Sequence, residues 1–340
     1  MSDQNNISTV IKGMGMYLPE RIVSSAEVEE RVGFKKFGVR GGMIELFTGV
    51  AERRYANDNE QPSDLAAFAG KEAMQNAGID PKDIDMVIFA AVTQDFAEPA
   101  VANVVQAKVG ASNAFCYDVK NACNSFISAL DIADSYIRSG KVKNVLITAG
   151  EVFSRMIKLD YNSKEEMLKR NGTFSTGDGG AAFVVSAEEN SNRGIIKTKF
   201  LTYADYWMHN VVWGGGTLYP RDMEKFYLGG DTNELVKLQF EVGIDFYNKF
   251  LKDIDWGIDS ISFSVGSQVA KYLTNEIVKR MGIATNKTIS ILPKYGNIGA
   301  ASIPVSTYEA EKDGKFKHGD RVFFFSAATG YNVGCAAVNW

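Results

Sequence analysis

The chain has 340 residues, 45% of them apolar and 23% charged. A globule of this length buries roughly three quarters of its extended-chain surface and needs no disulfide or metal staple. Lys plus Arg number 37 against 41 Asp plus Glu, a net charge of −4. That balance offers no basic surplus for a nucleic-acid backbone.

Met1–Asn6 is polar and lacks a basic stretch leading into an apolar one, and no apolar run approaches ~18 residues. The expectation is a chain with no signal peptide and no membrane span, located in the cytoplasm. The 3 cysteines, Cys116, Cys123 and Cys335, show no CxxC spacing and suit a reducing compartment. Only His209 and His318 are available as histidine ligands, so no metal site is expected.

In chain order, strand-like apolar runs fall at 84–92, 142–149, 181–186, 260–265 and 321–327. Helical periodicity predicts helices over 63–77, 122–139 and 234–251. Alternation of strands and helices, with strands apolar on both faces, indicates α/β architecture. Two Gly-rich turns each lead into a small-residue strand, at Gly177–Ser186 and Gly330–Val338. They divide the chain into candidate halves, 1–187 and 188–340.

Cys123 carries the most chemical information. Phe115–Ser128 (FCYDVKNACNSFIS) reads as strand, sharp turn, helix. That places the sulfur in the first turn of a helix, where free N–H groups and the dipole favour thiolate. Such a thiolate can take an acyl group from a thioester, and its own N–H can bind the oxyanion. The competing reading is a small buried hydrophobe. Cys116 and Cys335 fall in strand runs and read as packing residues.

With this context the sequence resembles the β-ketoacyl-acyl-carrier-protein synthase III branch of the thiolase superfamily over almost its whole length. Leu46–Tyr55 (LFTGVAERRY), Thr93–Ala100 (TQDFAEPA), Gly177–Val185 (GDGGAAFVV) and Tyr295–Pro304 (YGNIGAASIP) carry the likeness. It implies a five-layered α-β-α-β-α fold built from two pseudo-repeated halves, and a homodimer. It also implies that Asn297, the YGN asparagine, hydrogen-bonds the thioester carbonyl or enolate oxygen. The backbone of Cys123 and of the Thr329–Gly330 turn is expected to form the oxyanion hole. No cofactor is implied; the thioester rides on coenzyme A or on the phosphopantetheine of an acyl carrier protein.

Two departures from the pattern bear on chemistry. Where the family has His–Gln, Ser264–Ala270 (SVGSQVA) has Ser267–Gln268. A serine hydroxyl donates one hydrogen bond but carries no charge and shuttles no proton near neutrality. Malonyl decarboxylation therefore loses its usual partner. Before Pro99, where plain members often carry an aromatic residue, stands Glu98. In this it is nearest to the head-to-head acyl-condensing enzymes of olefin and α-pyrone biosynthesis, whose glutamate enters the neighbouring protomer's site as base. A carboxylate in an apolar pocket can abstract an α-proton from an acyl thioester.

Gly177–Gly180 matches no Walker or dinucleotide loop, and the resemblance makes it structural. Met43 and Phe47 replace the Trp and Arg that often clamp coenzyme A, leaving Arg40, Arg53 and Arg54 as phosphate contacts. The aromatic loop Tyr203–Pro220, with Trp207 and His209, is expected to shape an acyl pocket. His318 reads as a surface turn residue.

The expected activity is acyl transfer onto Cys123 followed by Claisen-type condensation without obligatory malonyl decarboxylation. Glu98 would act as base, with Asn297 and Ser267 orienting the second thioester. Two alternatives stand beside it: acyl transfer to an oxygen or nitrogen nucleophile, and a degenerate subunit supporting an active ketosynthase in a heteromeric complex.

Overall fold

A computed structural model describes residues 7–229 and 233–340. Two sheets organise the chain. The first contains β1 (Ile7–Tyr17), β4 (Met86–Ala90), β5 (Phe115–Val119), β6 (Asn144–Val152) and β7 (Asp178–Glu189), in the order β1-β7-β6-β4-β5. The second contains β8 (Gly194–Thr202), β9 (Phe263–Gly266), β10 (Arg321–Ala328) and β11 (Asn332–Asn339), in the order β8-β11-β10-β9. One sheet thus comes from residues up to 189 and the other from residues after 193.

Three helical layers enclose and separate the sheets. Helices α3 (Pro62–Ala77) and α4 (Val101–Val109) cover the outside of the first sheet. Helices α5 (Ser125–Arg138) and α11 (Ser302–Lys312) lie between the sheets. Helices α7 (Asn233–Leu238), α8 (Ile244–Asp253) and α9 (Lys271–Arg280) cover the second sheet. Strand alternation fills these layers. On β7, Phe183 and Val185 face the central core while Ala182 and Val184 face the outer one. On β10, Phe324 faces inward and Phe323 and Phe325 outward. Burial on both faces is why these strands read as continuous apolar runs.

A cap of β2 (Arg21–Ser24), β3 (Glu52–Tyr55), α1 (Ser25–Val32), α2 (Met43–Thr48) and α6 (Lys164–Leu168) has its own small core around Phe34, Tyr161 and Phe174. The short α10 (Leu292–Tyr295) leads into the YGN segment. No helix of the described residues is long and apolar enough to cross a membrane.

Three sequence-predicted boundaries move. The helix expected from Ala122 begins at Ser125, because the turn before it demands a left-handed residue. The helix expected over 234–251 is interrupted by a π-helical segment at Gln239–Gly243. The helix expected from Ser63 starts at Pro62, capped by a reciprocal Gln61–Asp64 pair.

Candidate active site

The Cys123 turn is built by strain and one hydroxyl. Ala122 sits at φ +47°, a left-handed conformation that costs an L-residue about 1–2 kcal/mol. Ser125 Oγ accepts from Asn121 N at 2.8 Å and donates to Ala122 O at 2.7 Å. This locks the turn and leaves Cys123 two residues ahead of α5. The expected thiolate is not the resting state. Burial first, and the nearby Glu151 second, push the Cys123 thiol up to about 12, outweighing its local backbone N–H. Desolvation disfavours the charged form more than a helix terminus two residues away favours it.

The neighbouring Asn124 joins the two halves. Its Nδ2 donates to Asn332 O at 3.2 Å, and Asn332 Nδ2 donates to Thr329 O at 2.7 Å. The Thr329–Gly330 turn, with Gly330 at φ +90°, is thereby tethered to the Cys123 loop.

Asn297 is held from both sides. Its N–H donates to Ser175 O at 2.9 Å, and its carbonyl accepts from Gly177 N at 3.0 Å. Its Oδ1 accepts from Gly299 N at 3.0 Å, and Nδ2 has no partner among the described residues. Gly177 is required by closeness, since a Cβ there would meet Tyr295 O at 2.2 Å. Within the same GDGG turn, Asp178 is fully buried and accepts from Ala56 N, Ser154 N and Ser154 Oγ. That turn is scaffold for Asn297.

Ser267 is half-buried at the end of β9, its N–H donating to Phe325 O at 3.0 Å. Gln268 beside it is buried, donating to Ile289 O and Ser306 Oγ and accepting from Ile291 N. The glutamine therefore staples the Ser267 segment to the chain leading into α10.

Several expected contacts lie elsewhere. Arg53 is wholly buried and donates to Val23 O, Ser25 Oγ and Phe174 O. It braces the cap and presents nothing to a phosphate, which corrects its assignment as a substrate contact. Arg54 donates to Pro19 O and Glu20 O. Trp207 is exposed, its ring 6.0 Å from that of Trp213, and His209 lies 6.0 Å from Tyr206. Their loop starts where Tyr203 N donates to Tyr331 O and ends where Leu228 N donates to Met156 O. It therefore arches from the second half to the first. Glu98 is exposed in the single chain. Two surface hollows, along Leu218–Glu224 and beside Trp256, include neither Cys123 nor Asn297.

Sequence reading passed over Glu151. It is wholly buried at the end of β6 and accepts four hydrogen bonds. Burial first, opposed by those bonds, pushes its carboxyl up to about 7. An isolated glutamate at the end of an apolar strand was the available signal, since such a group is almost never buried without a purpose. Among the described residues no cluster of His, Cys, Asp and Glu is arranged to hold a metal.

Comparison with known proteins places this arrangement. Residues 117–204 match the model of 3-oxoacyl-[acyl-carrier-protein] synthase III, and residues 251–340 match that of its C-terminal domain. A β-ketoacyl-[acyl-carrier-protein] synthase III of Ehrlichia canis is 32% identical over 335 residues, covering 97% of this chain and 98% of that protein. That of Aliarcobacter butzleri is 32% identical over 336 residues, covering 97% of each. The crystal structure of the synthase III of Aquifex aeolicus superposes with a TM-score of 0.85 at 28% identity, over 98% of this chain and 100% of that one. An OleA structure from Xanthomonas campestris has a TM-score of 0.88 at 24% identity over 100% of both chains, a likeness of fold. By identity over nearly the full length of both chains, this protein belongs to the β-ketoacyl-[acyl-carrier-protein] synthase III family, condensing transferases of thiolase-like fold.

Proposed function

We propose that the chain takes an acyl group from a thioester onto Cys123 and condenses it with a second acyl thioester, without obligatory malonyl decarboxylation. The observation that supports this reading is the tether Asn124–Asn332–Thr329, which links the Thr329–Gly330 turn to the Cys123 loop. In the first step the thioester carbon bonds to Sγ and its bond to the carrier sulfur breaks. The Cys123 proton leaves with the carrier thiol. Asn297, through its free Nδ2, then donates to the second thioester's carbonyl oxygen, with the Ser267 hydroxyl as a further donor.

Loss of the usual histidine favours a separate base, and we assign that role to Glu98 of a second protomer. Glu98 and Phe96 are exposed on the loop after β4. One edge of the first sheet is β5, with Phe115 46% exposed. Both features support pairing with another copy of the chain. An acyl carrier protein is the proposed thioester carrier, because the relatives' names include it. Coenzyme A is the second candidate, since an OleA structure is described with bound lauroyl-CoA. The 3 unpaired thiols fit a cytoplasmic location.

The raised Cys123 pKa and the missing histidine also favour one rival, a subunit that supports an active partner ketosynthase. Intact-mass measurement after incubation with acyl thioesters separates the two. An adduct on the wild type and none on Cys123→Ala supports catalysis here. No adduct, or one persisting in Cys123→Ala, defeats it. Glu98→Gln is expected to load acyl groups and lose condensation; unaffected condensation removes Glu98 from the mechanism.

A further inference from the structure

Glu151 is a buried carboxylate that forms no ion pair among the described residues. Burying such a charge without a cation is costly, so the hydrogen bonds it collects identify what the fold gains. Oε1 accepts from Val92 N at 2.8 Å and from Ala300 N at 3.2 Å. Oε2 accepts from Thr93 N and Thr93 Oγ, both at 2.9 Å. The Thr93 hydroxyl in turn accepts from Val152 N at 3.0 Å.

These donors come from two segments far apart in sequence. Val92 and Thr93 open the loop that carries Glu98. Ala300 closes the turn that carries Asn297, and within that turn Gly299 N holds Asn297 Oδ1. The packing is direct, because a Cβ on Gly299 would lie 3.1 Å from Glu151 Oε1. The titratable group facing this carboxylate is Cys123, whose thiol Glu151 helps to keep protonated.

We propose that Glu151 is a positioning residue for the condensation step, clamping the Asn297 turn and the Glu98 loop together beside Cys123. This rests on the reading of Cys123, Asn297 and Glu98 given above. The clamp serves the second half-reaction: Asn297 Nδ2 can meet the second thioester only if its turn stays in place. Acyl loading depends on the sulfur and the Cys123 and Thr329–Gly330 backbone, which Glu151 does not bond.

The test compares wild type with Glu151→Gln and Thr93→Val. Glu151→Gln keeps Oε1 for Val92 and Ala300, loses the acceptor for Thr93 N and removes the charge. Thr93→Val keeps the shape, removes the hydroxyl donor to Glu151 and takes the acceptor from Val152 N. Acyl loading is followed by intact mass, condensation by product formation, and the Cys123 environment by its iodoacetamide rate at pH 9. Glu151→Gln is expected to load at least as fast as wild type, while its condensation kcat falls about 10- to 100-fold, as when an oriented donor is displaced. Its alkylation should be faster by about tenfold, one pKa unit, because the facing charge is gone. Thr93→Val should lose condensation severalfold with loading intact and alkylation unchanged.

Loading and condensation falling together in both variants would mean scaffolding alone and overturn the proposal. So would condensation equal to wild type in Glu151→Gln, or an unchanged alkylation rate there. Wild type that takes up no acyl group would instead overturn the reading of Cys123 itself.

Discussion

The protonation of Cys123 can be tested by titrating its alkylation. With the thiol pushed up to about 12, about one molecule in 10⁴ is ionised at pH 8, against about a quarter for an ordinary cysteine near 8.5. The thiolate population is thus lower by about 2,000-fold. A more basic thiolate is also more nucleophilic, which recovers about 40-fold at a Brønsted slope near 0.45. The net expectation is alkylation about 50-fold slower than a free thiol at pH 8. Iodoacetamide rates read by peptide mass, with Cys123→Ala as control for Cys116 and Cys335, should rise tenfold per pH unit from 8.0 to 9.5, where Glu151 is already ionised, without levelling. A plateau with a midpoint below 9 would refute the claim that burial outweighs the local N–H groups. Acyl loading should share the unit slope, because the same proton must leave.

Three further outcomes follow from the geometry. Asn297→Ala removes the free Nδ2 donor and should lower condensation by about 10²–10³; loading measured by intact mass should persist, and equal loss of both steps would sink the division of labour. Arg53→Ala strips donors from Val23 O, Ser25 Oγ and Phe174 O and opens a void, which should cost about 3–5 kcal/mol in urea unfolding. Folded Arg53→Lys should keep the wild-type KM for thioester, and a raised KM would restore Arg53 as a substrate contact. Glu151 and Asp178 are pushed up by burial to about 7 and about 6. The native chain therefore holds protons that the unfolded chain releases near pH 4, and stability declines as pH climbs through that window. The urea midpoint should be higher at pH 5.0 than at pH 7.5; a flat or rising trend would contradict it.

Much of the fold was legible because its strands are buried on both faces and its helices end at glycines. Phe263–Gly266 and Arg321–Ala328 lie within two or three residues of the runs read as strands. The start of α5 was misplaced because periodicity continues back through Ala122, and a left-handed alanine leaves no mark in composition. The π-helical stretch at Gln239–Gly243 has the same apolar spacing as an α-helix nearby, so pattern alone does not reveal it. In the site, Cys123 and Asn297 stood out because each sits in a distinctive local motif. Arg53 misled because an arginine in a polar-looking run reads as surface, whereas here three acceptors in the cap bury it. Glu151 was missed because its partners are backbone groups at positions 92, 93 and 300 and the Thr93 hydroxyl, which no local pattern links.

The amide bridge between Asn124 and Asn332 spans 208 positions of sequence. During synthesis the sulfur therefore emerges long before the turn that would cradle a developing negative charge. Until β11 docks, the Asn124–Asn332 bridge that ties that turn to the Cys123 loop is absent. A severed first half therefore lacks the Thr329–Gly330 turn, and it should fail to condense acyl groups even if it folds.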